Sequence, residues 1–336
     1  MFKEYIYHID LTDFQKKEIE RFEKDLSYKY EEIDCPICFN SDHKVLFKND
    51  RHKIKQKTVV CLKCGFMFSN PRMDYDSIKK FYNSDSYRFI YEKKVINNKK
   101  DIFFNTCEEI RNYKFQKPKK PDFTKYYRTL YLDFIYQEEI KFETVHDIGC
   151  GKGLKLLDFK NLKKEISGID PSNIFHECHK KFKINSKVGF VDDLEGSYDL
   201  VLISHVLEHL HDIDASIKKI EKITKKYLFI EVPGHINNVQ SIQNAHNFYF
   251  SFNTLNYFVQ NNNFKLIKIN YAKDSDFILA LYEKIEKKNN YNYNYEKEKK
   301  LIKKIMLKYT FRYFVLKFLR FLKLEQFIRR VINKFR

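Results

Sequence analysis

The chain predicts an α/β fold built on a doubly wound, mostly parallel sheet, and three observations point to it. A short apolar run, residues 144–148, ends in glycines at alternate positions, Gly149, Gly151 and Gly153, and an amphipathic run over 154–159 follows. That order reads as strand, tight loop, helix. A second strand-like run, 166–169, ends in Asp170, twenty-one positions after Gly149. The alternation then continues, with strands over 188–191, 198–204 and 227–231 and a helix over 215–224. Strands alternating with helices specify a parallel sheet with its ligand at the carboxyl ends of the strands.

The elements before the sheet are of another kind. Residues 11–30 mix Glu and Lys with Phe14, Ile19, Phe22 and Leu26, a surface helix. Cys35 and Cys38 form one Cys-x-x-Cys pair and, twenty-two residues later, Cys61 and Cys64 form another. Two such knuckles place four thiolates for tetrahedral zinc in a closed, structural site. A redox role would need a Cys-x-x-Cys opening a helix in a βαβ unit, which neither does. Cys107, Cys150 and Cys178 read as unligated thiols. After Cys64 come a helical stretch over 75–82, Tyr87, and a linker at 116–121 with two prolines. Asp122 is expected to cap a helix running to Glu139 ahead of the first strand.

The glycine loop defines the chemistry. Glycines allow close backbone approach to a ligand, and the helix that follows presents unpaired N–H groups. Asp170 suits a ribose, so the pair implies a nucleoside-containing cofactor. A dinucleotide loop requires G-x-G-x-x-G, but Leu154 occupies the last place, and Asp147 suits a cationic ligand better than a pyrophosphate. The run from Asp147 to Gly153 resembles motif I of class I S-adenosylmethionine-dependent methyltransferases. The resemblance implies a seven-stranded sheet closed by strands over 264–270 and 277–283. Asp147 with Gly149, Gly151 and Gly153 is expected to hold the amino acid end of S-adenosylmethionine, Asp170 the ribose, and Asp192 or Asp193 the adenine amino group. Ser204, at the end of the fourth strand, joins this set. Residues 31–285 together resemble the two-part family in which a zinc-binding module precedes a methyltransferase domain, encoded with bacterial surface-polysaccharide and sugar-modification enzymes. That family has Gly where Asn263 stands, a tolerable exchange at a left-handed residue.

The expected domains are a helical segment over 1–30, a zinc ribbon over 31–72, a helical connector over 73–121, a methyltransferase domain over 122–285, and basic amphipathic helices over 296–336.

His205-Val206-Leu207-Glu208-His209 matches H-x-x-E-H, a zinc-protease signature in which both histidines share a helix face. Its context argues otherwise: the segment follows a buried strand directly, and residues 199–210 resemble the methyltransferase post-strand motif. His209 is the expected catalytic base. His246, in a loop resembling the family's substrate-side loop before helix 252–260, is the alternative, and His235 is a weaker choice. The competing reading is that these histidines only hydrogen-bond or are solvated. The expected reaction is methyl transfer to a small acceptor, a nucleotide-linked sugar or glycan precursor. RNA as acceptor, or a non-catalytic assembly module, are the rivals.

Sixty-three basic and forty-five acidic side chains give a net charge of +18, of which +12 lies in the last 38 residues, with eight Lys, five Arg and one Glu. Such a chain favours anionic surroundings. In this tail Ile302, Ile305, Met306, Tyr309, Tyr313 and Leu316 are expected on one helical side beside Lys304, Lys308 and Arg312, with Phe318, Leu322 and Ile328 farther on. That arrangement fits a peripheral membrane contact, a partner, or packing on the protein's own domain. No secretory signal or spanning segment is visible, so a cytoplasmic location is expected, with the inner face of the membrane as the alternative.

Overall fold

The computed structural model describes residues 11–84, 86–91, 98–234, 242–273, 275–286 and 291–321. His235, Leu322 and Ile328 lie outside the described residues, as do the side chains of Lys308, Tyr309, Arg312, Tyr313 and Leu316.

In chain order the first elements are α1 (Asp13–Lys24), β1 (Tyr30–Glu31), β2 (His43–Asn49), β3 (Lys55–Cys61), β4 (Met67–Ser69), β5 (Arg72–Met73), α2 (Tyr75–Asn83), α3 (Ser86–Tyr91), α4 (Lys99–Arg111) and α5 (Leu130–Tyr136). Helix α1 starts at a reciprocal cap, in which Thr12 and Gln15 satisfy each other's backbone N–H groups. It buries Ile19 and Phe22 against Ile78 and Phe81 of α2.

The large domain follows with β6 (Thr144–Ile148), α6 (Leu154–Asn161), β7 (Glu165–Asp170), α7 (Asn173–Lys181), β8 (Lys187–Val188), β9 (Tyr198–Ser204), α8 (Ile213–Ile223), β10 (Thr224–Pro233), β11 (Phe248–Tyr249), α9 (Phe252–Gln260), β12 (Phe264–Ala272), β13 (Phe277–Lys284) and α10 (Tyr295–Phe321). Seven strands form one sheet in the order β12-β13-β10-β9-β6-β7-β8. Strands β6 to β10 run parallel, and β13 is antiparallel to both of its neighbours. The chain winds outward from β6 through β7 and β8, then returns to the other side of β6 at β9. That reversal opens a crevice at the carboxyl ends of β6 and β9. Burial on both faces explains the unbroken apolar run of β9, whose Leu200 to Ile203 are fully buried.

The cysteine module is fused to this domain through a strand pair. Strand β4 pairs antiparallel with β11, so the small sheet runs β11-β4-β3-β2. Phe66 and Phe68 enter the same apolar core as Phe248, Phe250 and Phe258.

Three expectations need correction. The helix expected from Asp122 begins only at Leu130. Asp122 instead accepts bonds from the backbone N–H and hydroxyl of Thr124 and closes a turn, while Tyr126 packs edge-on against Phe277. The third strand is two residues long, and residues 191–193 form a 3₁₀ turn after Gly189. His205 and His209 do not share an α-helix: His205 has φ +55° and only residues 207–209 form a 3₁₀ turn. In the tail, for which packing on the protein's own domain was one of three expected arrangements, Ile302 and Ile305 are buried with Leu46, Val60 and Ile242, and Met306 packs against them. Among the described side chains farther along the helix, Leu307, Phe311, Phe314 and Phe318 are exposed.

Candidate active site

Strand β6 leads into the glycine loop at the crevice, while its own Asp147 stays buried. The N–H groups of Gly149 and Cys150 both donate to the carbonyl of Ile169, at 2.8 and 3.1 Å, which fixes the loop to the end of β7. Gly149 has φ +69°, and a Cβ there would lie 2.2 Å from Val206, so the position admits only glycine. Gly151, at φ +50°, faces open space, where an added Cβ would meet nothing nearer than 3.9 Å. Its N–H donates to Asp170 Oδ2 at 2.9 Å, and the N–H of Ser172 donates to Oδ1 at 2.9 Å. Gly153 instead starts α6 at φ +76° and faces His179.

A cavity of about 570 Å³ lies over this loop. Its floor includes Gly149, Gly151, Asp170 and Ser204; one wall carries Asp192, and His205, Val206 and His209 form the far end. Asp193 does not line it, because its carboxylate caps the 3₁₀ turn by accepting the N–H of Phe190 at 2.8 Å. Asp192 is half exposed and paired with Lys219. The roof comes from the connector, where α2 and the start of α3 contribute Tyr75, Ile78, Tyr82, Tyr87 and Arg88. Arg88 is buried, stands over the Phe175 ring at 4.4 Å and reaches Asp170 Oδ1 at 3.6 Å.

Beneath the loop lies a buried acidic pair. Glu231, at the end of β10, is fully buried and accepts bonds from Lys155 Nζ at 3.0 Å and from the Ser204 hydroxyl. Burial opposes its charge, but Lys155, His205 and Ser204 outweigh that and hold its carboxyl down to about 2. Asp147 lacks such support. Burial raises its carboxyl to about 7, Lys155 partly offsets this, and Asp170 and Glu231 add to the rise. Asp147 Oδ1 and Glu231 Oε1 have no hydrogen-bond partner. Neither residue lines the cavity; their two orphaned oxygens are buried behind it, where an ammonium would satisfy them.

At the far end, Glu208 is buried and three imidazoles approach its Oε1: His205 Nδ1 at 3.7 Å, His209 Nε2 at 3.9 Å and His246 Nε2 at 3.9 Å. His209 lines the cavity, whereas His246 stands behind it. Burial disfavours protonation of His209 and lowers its pKa, despite the charge of Glu208. His205, on the cavity wall, is raised, because Glu208 and Glu231 overcome the cost of burial.

In the small module the four thiols gather. Cys35 Sγ lies 3.4 Å from Cys64 Sγ, Cys38 Sγ lies 3.5 Å from Cys61 Sγ, and all four sulfurs fall within 4.8 Å of one another. Four sulfurs at these separations fit around a tetrahedral ion with Zn–S bonds of about 2.3 Å. The cluster is consistent with a small zinc module.

Sequence reasoning did not find Arg88, Lys155 or Glu231 as site residues. Glu231 ends a parallel strand at the carboxyl edge, which is the available signal. Arg88 carries none, since it arrives from another part of the chain.

Residues 119–269 match a family model described as a methyltransferase domain. The strand order and glycine loop agree with that match, since this stretch holds a Rossmann-like sheet. Among curated proteins, the chain is similar to the ubiquinone biosynthesis O-methyltransferases of Pelagibacter ubique (strain HTCC1062) and Rhodopseudomonas palustris (strain BisB18). It is 39% identical to the first over 88 residues (24% of this chain, 37% of the relative) and 33% identical to the second over 87 residues (24% and 34%). The chain thus spans about a third of the length of these relatives. A solved magnesium protoporphyrin IX methyltransferase from Synechocystis PCC 6803 with bound SAH resembles it at TM-score 0.44 and 13% identity, covering 63% of this chain and all of that one.

Proposed function

We propose that the protein transfers a methyl group from S-adenosylmethionine to a hydroxyl of a small acceptor. The observation that carries this is the shared cavity, in which the cofactor loop forms the floor and the connector tyrosines the roof. Its volume falls within the range of small-molecule sites. Asp170 would hold the ribose, Asp192 the adenine edge, and Asp147 with Glu231 the ammonium. The cofactor supplies an electrophilic methyl. The chain's own work is to align the acceptor oxygen with it and to remove that oxygen's proton. We place proton removal at the cluster of His205, Glu208, His209 and His246, where His209 is the imidazole between Glu208 and the cavity. The four cysteines hold a structural zinc.

The acceptor we favour is a nucleotide-linked sugar or glycan precursor. The names of the curated relatives and the aromatic roof of Tyr82 and Tyr87 support a second reading, a phenolic ring. A roofed cavity suits either better than RNA. Calorimetry should show S-adenosylmethionine bound and NAD ignored. His209→Gln and His246→Gln should each lower turnover by about a hundredfold while cofactor affinity barely moves. Near-normal turnover in both would leave alignment alone as the mechanism.

For α10 the proposed partner is an anionic membrane surface. Leu307, Phe311, Phe314 and Phe318 recur at helical spacing and are exposed, and the last 38 residues, which include most of this helix, carry twelve net positive charges. No helix among the described residues is long and apolar enough to cross a membrane.

A further inference from the structure

We infer that Glu208, His209 and His246 form a second cation site, separate from the four thiols, for a first-row divalent ion at the acceptor end of the cavity. The first observation is the carboxylate itself. Glu208 is 1% exposed, and neither of its oxygens has a hydrogen-bond partner. Burying a carboxyl group without hydrogen-bond partners costs free energy, which a bound cation would offset. The left-handed His205 turns the chain at the end of β9. The turn that follows is held from outside, since Asn247 N–H donates to the Glu208 carbonyl at 2.8 Å and Asn247 Nδ2 donates to the Leu210 carbonyl at 3.0 Å. The side chain of Glu208 is therefore fixed inward by the fold.

The second observation is the state of the two imidazoles. His209 Nδ1 lies 2.8 Å from the carbonyl of Ala245, which can only accept, so Nδ1 carries the proton. Its Nε2 lone pair is left toward Glu208, 3.9 Å away. An imidazole whose far N–H is anchored to a carbonyl is how ligating histidines are oriented in metal sites. His246 Nε2 faces the amide nitrogen of Gln243, whose oxygen is taken by Arg51 at 3.1 Å. An amide nitrogen donates, so Nε2 of His246 is also a lone pair, and an ion would take it over from Gln243. The small module holds this residue in place: the Ser69 hydroxyl donates to the His246 carbonyl at 2.6 Å.

One carboxylate oxygen and two imidazole nitrogens, all within 4.8 Å of one another, make a donor set for zinc, cobalt, nickel or ferrous iron rather than magnesium or calcium. Tyr82 and Tyr87, which line the cavity beside His209, stand edge-on to its ring at 5.9 and 5.7 Å. An ion there would polarise an acceptor hydroxyl; with His209 and His246 taken up as ligands, His205 is the one imidazole of the proton-removing cluster left to accept that proton. That consequence rests on the methyl-transfer reading; the binding of the ion does not.

The test is metal stoichiometry in the full-length protein. Metal-stripped protein is titrated with cobalt and then, separately, with zinc. Wild type should bind two equivalents, one with thiolate charge-transfer absorption and one without. Glu208→Gln, which keeps the side chain's shape, should lose the second equivalent by about a hundredfold in affinity and keep the thiolate one. His246→Asn should do the same, and unchanged S-adenosylmethionine binding by both variants would show that they fold. A single thiolate-bound equivalent in wild type, or two equivalents in Glu208→Gln, would overturn the site. Failure of wild type to bind S-adenosylmethionine would overturn the proposed function and leave the second ion untouched.

Discussion

The guanidinium of Arg88 lies 3.6 Å from the carboxylate of Asp170, and both residues are buried. One comes from the connector and the other from the end of β7, so the roof and floor of the cavity meet in this ion pair. Asp170→Ala should weaken S-adenosylmethionine binding by roughly ten- to a hundredfold, the loss of a charge-assisted contact of about 1.5–3 kcal/mol. Arg88→Met should weaken it less and expose the connector to protease. Calorimetry and limited proteolysis check both, and a neutral Arg88→Met would show that the roof plays no part in cofactor binding.

If Asp147 meets the cofactor's ammonium as proposed, it should make cofactor binding pH-dependent. Burial raises its carboxyl from 3.8 to about 7. Its neutral form is favoured in the fold, so its contribution to stability is complete below about pH 4 and is lost as pH rises through 7. The ammonium of S-adenosylmethionine selects the ionised form, so binding at pH 6 should release protons. Calorimetry in buffers of different ionisation enthalpy measures this release, which Asp147→Asn should abolish along with much of the affinity.

Cys61→Ser should release zinc and leave residues 31–72 protease-sensitive, because coordination supplies much of the folding energy of so small a module. Strand β4 reaches β11 through this module, so the variant should also lose turnover, with Ser69 no longer holding the His246 loop. Metal analysis finding well under one zinc per chain in the wild-type protein would refute the assignment.

In α10 the informative substitutions are on the exposed stripe. Phe311→Glu with Phe314→Glu should leave thermal stability unchanged and abolish sedimentation with anionic liposomes. Unchanged sedimentation would remove the membrane reading. Deleting the whole tail is a poorer test, because Glu298, Ile302 and Ile305 are buried in the body of the protein.

Local rules exposed the sheet, the glycine loop, the cysteine knuckles and helix α9 in the sequence. Each rests on spacing within a few residues, such as Ser251 capping α9 through Thr254. What stayed hidden depends on distant parts of the chain. Arg88 meets Asp170 across 82 positions, and Ser69 fixes His246 across 177. The turn at His205 also escaped, because a histidine at φ +55° imitates the i, i+4 spacing of a helix face while the backbone bends away. The tail was only partly legible for a related reason. It is apolar nearly all round, so periodicity left open which side packs and which is exposed.

Methyl transfer itself is the central claim, and it is tested by incubating the full-length protein with methyl-labelled S-adenosylmethionine and three acceptor pools: sugar nucleotides, simple phenols and tRNA. The account predicts label in a small acceptor, with sugar nucleotides first, S-adenosylhomocysteine formed in equal amount, and loss of both in Asp170→Ala and His209→Gln. Label in tRNA alone, or cofactor bound with no transfer to any pool, would contradict it.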